Sequence, residues 1–134
     1  TLGIDAAGDP YPTFSDIRER VIADITSAFR SGWQLDYPSA EILTPLYRST
    51  SADGHGSNDG DYKSEEFDAA LAAALSQTDE QARTEAFHKA EEILLQDLPS
   101  IPLWCDNVAA ASAIGVQNVA FDYTNMPTYN TITK

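Results

Sequence analysis

The fold of this chain is decided by the stretch Ser64-Glu65-Glu66-Phe67-Asp68-Ala69-Ala70-Leu71-Ala72-Ala73-Ala74-Leu75. Its apolar side chains recur at i, i+3, i+4, i+7 and i+8, which is the spacing of one face of an amphipathic helix. They are Phe67, Ala70, Leu71, Ala74 and Leu75. Ser64 is a helix-capping residue type, and the acidic Glu65 and Glu66 suit the positive end of a helix dipole. The stretch therefore predicts a helix that begins after Ser64 and has one face to bury.

A second apolar stripe at helical spacing follows along the chain. Its members are Ala86, Phe87, Ala90, Ile93, Leu94 and Leu98. Thr78 and Gln81 have the spacing of a capping box, and Pro99 cannot continue a helix, so these residues predict the two ends of the helix. Because only the short turn Ser76-Gln77 separates the stripes, we expect the two helices to lie against each other or to pack at an angle.

Upstream of this pair, the chain reads Gly32-Trp33-Gln34-Leu35-Asp36-Tyr37-Pro38 and places one carboxylate between two aromatic rings. A strand that ends at Leu35 would present Asp36 at its end, and Pro38 disfavours a helical conformation of Tyr37. Ring faces that exclude water strengthen an ion pair and add a cation–π attraction of about 0.5–2 kcal/mol, so the arrangement suits capture of an amine. The alternative is an Asp36 that caps the helix after Pro38, with Trp33 and Tyr37 in the core.

Other segments have the patterns of short helices and strands. Helices are predicted at Thr13–Ala23, with Thr13 as the N-cap and a stripe that reaches Ile25, and at Ser39–Arg48. The β-prone segments are Thr1–Ala6 (with Leu2 on its apolar side), Ser27–Leu35, Ile101–Asp106, Ala109–Val116 and Asn118–Tyr123. The single cysteine, Cys105, falls in one of these strands, where it is expected to be a small buried side chain.

Residues 49–61 contain three glycines and no apolar residue larger than Ala52, so they predict a loop. When either Gly56 or Gly60 is aligned with the invariant glycine of an EF-hand, the calcium-ligand positions are not filled. We interpret His55 and the neighbouring aspartates as a solvated turn rather than as a metal site. The sequence therefore predicts no metal centre.

Acidic residues outnumber basic ones by 21 to 8, and the net charge is −13. This charge excludes nucleic acid as a partner, because binding needs Lys and Arg to replace the counterions of the phosphates. The sequence also contains no Gly-x-Ser-x-Gly, no His-Glu-x-x-His, no Cys-x-x-Cys and no phosphate-binding glycine loop. Carboxylates are numerous, but no pair is marked as a glycosidase dyad. The sequence predicts a binding protein rather than an enzyme, without a cofactor.

Several of these segments resemble, in the same order, the motifs of the family 5 extracellular solute-binding proteins, the peptide-binding components of bacterial ABC importers. Trp33-Gln34-Leu35-Asp36-Tyr37 is similar to the family's Trp-x-x-Asp-Tyr. A Gly/Asn/Asp loop that ends in Tyr62 follows, and the chain ends with the similar stretch Tyr129–Lys134. Between them, Ser64–Asp68 resembles the family's Ser/Asn-Pro-x-Phe-Asp, and Arg83–Glu91 resembles its Arg-x-x-x-Tyr-x-x-Ala-Glu. Leu98–Trp104 resembles its Pro-x-Ile-Pro-Leu. The resemblance covers residues 28–134.

The resemblance implies that this chain is the C-terminal portion of such a protein. Together with the predicted strands, it gives an α/β fold class: part of a periplasmic-binding-protein type II-like lobe, with a mixed sheet and a packed pair of helices. Residues 28–100 would form a segment of the ligand lobe. Residues 101–134 would be C-terminal strands that return toward the first lobe.

The same resemblance implies a ligand site. Asp36 would be the counter-ion of a bound peptide's amino group, Trp33 and Tyr37 would shape the wall around it, and Asn58 and Tyr62 would touch the ligand. The partner would be the membrane permease of an ABC importer. The protein would be extracellular or periplasmic, anchored through an N-terminal lipid absent from this chain. Ser39-Ala40-Glu41 departs from the family's Asp/Glu-Pro-x-Asn, which leaves the local loop geometry open.

Two other functions remain open at this point. The same fold could bind another solute, an oligosaccharide or a metal chelate, with Trp33 stacked on a sugar. Alternatively, the chain is an acidic helical interaction module, in which the helices of residues 67–98 present an apolar groove to a protein. Strands separated from their neighbours would leave unpaired edges, so the isolated fragment is also expected to self-associate.

Overall fold

The computed structural model describes residues 3–23 and 27–134. Within these ranges lie the four α-helices α1 Phe14–Ile22, α2 Leu43–Tyr47, α3 Glu65–Leu75 and α4 Glu80–Asp97. Single turns of 3₁₀ helix cover Ala40–Ile42, Ser49–Ser51 and Tyr129–Thr131. The rest of the described backbone is irregular, with two isolated antiparallel bridges, Gln117 to Thr133 and Phe121 to Pro127. No helix in the described ranges is both long enough and apolar enough to cross a membrane.

The two longest helices, α3 and α4, pack against each other and form the core. Their buried residues are Phe67, Leu71 and Ala74 from α3, and Phe87, Ala90 and Leu94 from α4. Both Phe67 and Leu71 are completely buried. Burial of a large apolar side chain contributes about 1.5–3 kcal/mol, so these contacts are the main source of stability in the described part. The packed pair of helices predicted from the two stripes is confirmed.

Side-chain caps set the beginnings of both helices. The hydroxyl of Ser64 accepts a hydrogen bond from the Phe67 amide at 3.2 Å, so its predicted role as the N-cap of α3 is confirmed. The N-cap of α4 is Asp79, whose carboxylate accepts from the Ala82 amide at 2.8 Å. The predicted Thr78–Gln81 capping box is therefore wrong by one residue. The last residue before Pro99 adopts a left-handed conformation and ends α4.

Three aromatic rings cover one side of the helix pair. Tyr47 of α2 and Tyr62 of the following loop both contact the buried Phe67 edge-to-face, with ring centroids 6.3 and 5.8 Å apart. The two tyrosine rings also contact each other, at 6.4 Å. Edge-to-face pairs of this kind are favoured by the ring quadrupoles. The cluster therefore fixes α2 and the loop before α3 against the core.

The predicted helix at residues 13–23 is confirmed as α1. Thr13 caps it reciprocally with Asp16: the Thr13 hydroxyl accepts from the Asp16 amide, and the Asp16 carboxylate accepts from the Thr13 amide. Arg18 joins α1 to the loop of residues 49–61 through an ion pair with Asp59 at 3.0 Å. Ile25, the last member of the predicted stripe, lies outside the described residues.

The predicted α/β lobe with a mixed sheet is wrong: the described residues are helix-rich and contain isolated bridges but no strands. The β-prone segments within residues 27–35 and 101–123 are largely exposed, and a strand is stable only when a neighbour pairs with its backbone groups. Cys105 is exposed rather than buried, for the same reason. Residues 3–6 form no strand either, and Thr1 and Leu2 lie outside the described residues.

Because Leu71 is buried in the core and Leu95 is exposed, alanine substitution at these two leucines should change the free energy of unfolding by very different amounts. Leu71→Ala should lower the free energy of unfolding by about 2–5 kcal/mol, because it leaves a cavity at a fully buried position. Leu95→Ala is the matched control on α4: its side chain is 54% exposed, and the change should stay within about 0.5 kcal/mol. Urea denaturation followed by helical circular dichroism measures both. Similar losses at the two positions would contradict the proposed core.

Candidate functional site

The segment Trp33–Tyr37 lies on the surface as irregular backbone. Its two rings are partly open to solvent, with Trp33 47% and Tyr37 43% exposed, and Asp36 between them is exposed as well. No strand leads into Asp36, so the predicted strand end is replaced by an extended loop. The three side chains predicted to form the cation site are thus close in sequence and all exposed.

Asp36 is held by its main chain rather than by its carboxylate. Its carbonyl oxygen accepts a hydrogen bond from the Tyr123 hydroxyl at 3.0 Å. Two residues earlier, the side-chain amide of Gln34 donates to the Thr124 carbonyl at 2.7 Å. The described residues donate no hydrogen bond to the Asp36 carboxylate. Its oxygens are therefore available to a ligand.

The alternative in which Asp36 caps the next helix is wrong. The cap of the 3₁₀ turn Ala40–Ile42 is Ser39, whose hydroxyl accepts from the Glu41 amide at 3.2 Å. The exposure of Trp33 and Tyr37 also contradicts a place in the core. The Asp36 carboxylate therefore has no role as the cap of this turn.

Tyr37 is linked to the helix pair through an acidic side chain. Its hydroxyl donates to one oxygen of Glu41 at 3.3 Å, and the other oxygen of Glu41 is paired with the guanidinium of Arg83 on α4. Arg83 also lies over the ring of the buried Phe87, with 5.7 Å between the guanidinium carbon and the ring centroid. Sequence reasoning missed Glu41 and Arg83 as parts of the site, although Arg83 stands first in one of the motifs.

Asn58 is buried, with 2% of its surface exposed, and its amide group closes the loop of residues 49–61. Its nitrogen donates to the carbonyls of Arg48 and Tyr62 at 3.1 and 2.8 Å. Its oxygen accepts from the Tyr62 amide at 3.1 Å. The side chain therefore organises the backbone that leads into α3.

Tyr62 lies beside Asn58, and its hydroxyl donates to the Asp97 carboxylate at 2.6 Å. Partial burial and this hydrogen bond raise the pKa of Tyr62 above its usual value of 10.0, so the phenol is neutral at physiological pH. Asn58 and Tyr62 thus form one group near the ends of α3 and α4, while Trp33, Asp36 and Tyr37 form another. No hydrogen bond described in the structure joins the two groups.

The loop of residues 49–61 is better packed than a solvated turn. Ala52 is 1% exposed, and a Cβ at Gly56 would come within 2.8 Å of the Ser51 Cβ, so the loop requires glycine there. The Asp53 carboxylate pairs with Lys63 at 2.7 Å. Within the part of the chain that the structure describes, no three His, Cys, Asp or Glu side chains converge as they would around a metal ion.

Comparison with known proteins shows which proteins this chain is similar to. The chain is 32% identical over 103 residues to the periplasmic oligopeptide-binding protein OppA of Haemophilus influenzae, covering 77% of this chain and 18% of that protein. It is 31% identical over 105 residues to OppA of Escherichia coli, with the same coverage. It is also 31% identical over 84 residues to the glutathione-binding protein GsiB of Salmonella typhimurium, covering 62% of this chain and 16% of GsiB.

These relatives are family 5 solute-binding proteins, and over the matched residues the chain is homologous to them. The resemblance indicated by the motifs is therefore confirmed. The chain spans less than a fifth of the length of the curated relatives it matches. No family model matches it. The relatives are named as binding proteins, not as enzymes.

The loop around Asn58 supplies a test of local stability. Asn58→Ala should lower the free energy of unfolding by at least about 2 kcal/mol, because each buried polar group left without a partner costs about 1–3 kcal/mol. The exposed Asn107→Ala is the control and should stay within about 0.5 kcal/mol. Chemical denaturation measures both variants. An Asn58→Ala variant as stable as the control would show that the loop does not depend on this amide.

Proposed function

We propose that this chain is the C-terminal portion of the substrate-binding component of an ABC importer, and that it binds peptides. The observation that carries the proposal is its identity of about 31% with oligopeptide-binding proteins across 77% of its length. Binding would require the rest of such a protein, since these relatives are more than five times longer than the matched region. Residues 28–100 are assigned to the ligand lobe, and residues 101–134 to the segment that returns toward the first lobe.

In this proposal Asp36 is the counter-ion of the peptide's amino group. Asp36 is exposed, its carboxylate receives no hydrogen bond from the described residues, and the exposed aromatic residues Trp33 and Tyr37 precede and follow it in the sequence. When the first lobe closes over the ligand, water leaves the site and the ion pair becomes stronger. Trp33 and Tyr37 form the wall and present ring faces to the ammonium group. Recognition of an amino group is independent of the peptide's side chains, so many sequences would bind.

Asn58 and Tyr62 remain in the proposed ligand-facing loop. The Asn58 amide and the Tyr62 hydroxyl are both engaged within the chain, which favours a role in shaping the loop over direct contact with a peptide. The functional partner would be the importer's permease. The protein would work in the periplasm or outside the cell, anchored by a lipid on a segment that precedes this chain, and it would catalyse no reaction.

Two alternatives are tested along with this proposal. GsiB is named for glutathione rather than for oligopeptides, so relatives of this chain differ in ligand. The second candidate is another solute on the same fold, an oligosaccharide or a metal chelate. The helical interaction module is less well supported. The stripes of α3 and α4 bury each other, so they do not form an open apolar groove.

The proposed ion pair predicts a specific loss in the full-length protein that contains this chain. Asp36→Asn should weaken binding of tri-alanine by roughly 100-fold or more, because breaking a buried ion pair costs about 3–5 kcal/mol and about 1.4 kcal/mol is tenfold. N-acetyl-tri-alanine, which lacks the charge, should bind weakly to both forms. Isothermal titration calorimetry measures the four affinities.

The control variant is Asp5→Asn, which removes the same charge from another exposed position and should leave all affinities unchanged. Equal affinities of the wild-type protein for the free and the acetylated peptide would reject Asp36 as the counter-ion. Competition by an oligosaccharide, with no effect of acetylation, would establish the alternative solute.

We also propose that the isolated chain self-associates. The reason is its exposed apolar side chains rather than unpaired strand edges. Residues 101–114 include Ile101, Leu103, Trp104 and Ile114, each more than 60% exposed, and apolar patches of this kind favour association. Leu103→Asp with Ile114→Asp should shift the chain toward monomer in sedimentation velocity, whereas Leu95→Asp on α4 should not. A wild-type chain that is monomeric at high concentration would contradict this prediction.

A further inference from the structure

The loop that carries Asp36 has no secondary structure of its own, yet it is attached at two points. The exposed segment contributes nothing to the core, so its position depends on the side chains that contact it. A counter-ion must be held in place before the ligand arrives, because ordering it during binding would reduce the affinity. The contacts that hold this loop are therefore of functional interest.

The first attachment comes from the helix pair. Arg83 stands in the first turns of α4, close to the core residue Phe87, and is paired with Glu41. Glu41 in turn accepts the hydrogen bond from Tyr37, the residue next to Asp36. Both members of the ion pair are about one-third exposed, so the pair is partly shielded from solvent. The position of the Tyr37 ring is thus linked to the buried core of α3 and α4.

The second attachment comes from the turn at residues 122–126. Asp122 builds this turn, since one of its carboxylate oxygens accepts from the amides of Thr124 and Met126 at 2.8 and 3.1 Å. The hydrogen bond from the Thr124 hydroxyl, with these two from the amides, keeps the pKa of Asp122 below its usual value of 3.8, so the carboxylate stays charged at neutral pH. The turn presents the Tyr123 hydroxyl to the carbonyl of Asp36.

We propose that Arg83, acting through Glu41 and Tyr37, and Tyr123, acting on the Asp36 carbonyl, are positioning residues that hold the segment carrying the Asp36 carboxylate. Arg83 and Tyr123 are distant in sequence from Asp36, Glu41 is near it, and none of the three needs to touch the ligand. This inference rests on the proposed role of Asp36. It names further residues on which the specificity of that site for an amino group depends.

The test uses the full-length protein with Arg83→Gln and Tyr123→Phe. The controls are Lys89→Gln, which removes the same charge from the exposed side of α4, and Tyr129→Phe, which removes a hydroxyl from a residue that is 72% exposed. Hydrogen–deuterium exchange of residues 34–41 is measured without peptide. We expect faster exchange in the two test variants and no change in the controls. Unchanged exchange in both test variants would overturn the inference.

Peptide affinities supply the functional readout. Each test variant should bind tri-alanine about 2–10-fold more weakly, which corresponds to the loss of one hydrogen bond or partly exposed ion pair. The affinity for N-acetyl-tri-alanine should change less, so the preference for the free amine narrows. An equal loss for both peptides would indicate a general structural role and would overturn the inference. If Arg83→Gln fails to fold, Arg83→Lys and Tyr123→Phe still decide the outcome.

Failure of this inference can be distinguished from failure of the proposed function. If the wild-type protein shows no preference for the free amine, the role of Asp36 is rejected. The exchange of residues 34–41 in the absence of peptide then still decides whether Arg83 and Tyr123 hold the loop.

Discussion

The packing of α3 against α4 is the constraint on which the rest of the described structure depends. Phe67 and Leu71 are completely buried, and their partners on α4 complete a small apolar core. Beyond this core the described chain buries few apolar side chains, and its last thirty or so residues are mostly exposed. The irregular segments therefore take their positions from the helix pair, through individual side-chain contacts rather than through a shared interior.

Two of the side chains that connect the helix pair to its surroundings are Tyr62 and Arg83. Tyr62 packs on Phe67 and donates to Asp97, and so fixes the loop before α3. Arg83 leads through Glu41 to Tyr37 and the exposed carboxylate beside it. Polar contacts of this kind contribute about 1 kcal/mol each, so they are too weak to create the core but sufficient to orient a loop against it. The fold thus supplies rigidity, and polar contacts transmit it to the candidate site.

The helices could be predicted from the sequence because their signals are local. Apolar spacing located α3 and α4, and the residue type of Ser64 located a cap. The strands could not be predicted correctly, because a β-prone segment such as residues 101–106 forms a strand only when another strand pairs with it. Cys105 was placed in the interior by the same error.

In the candidate site, too, the features with a local signal could be predicted and those that depend on distant residues could not. The pattern Trp33-x-x-Asp36-Tyr37 marked the segment, because the residue types themselves carry the chemistry. The supports of that segment were missed, since Arg83 lies 42 residues from Glu41, and Tyr123 lies 87 residues from Asp36. Glu41 is close to Asp36 in sequence, but no motif or apolar spacing around Glu41 marks it as part of the site. Contacts between distant residues leave no periodic signal, and only the folded chain brings them together.

The central claim is that an accessible carboxylate, oriented by the helix pair, meets the positive charge of a peptide. A crystal structure of the full-length protein with bound tri-alanine tests this claim most directly. The account predicts a carboxylate oxygen of Asp36 within about 4 Å of the peptide's amino nitrogen, the distance of an ion pair. A bound peptide whose amino group is paired elsewhere, with Asp36 still facing solvent, would contradict it.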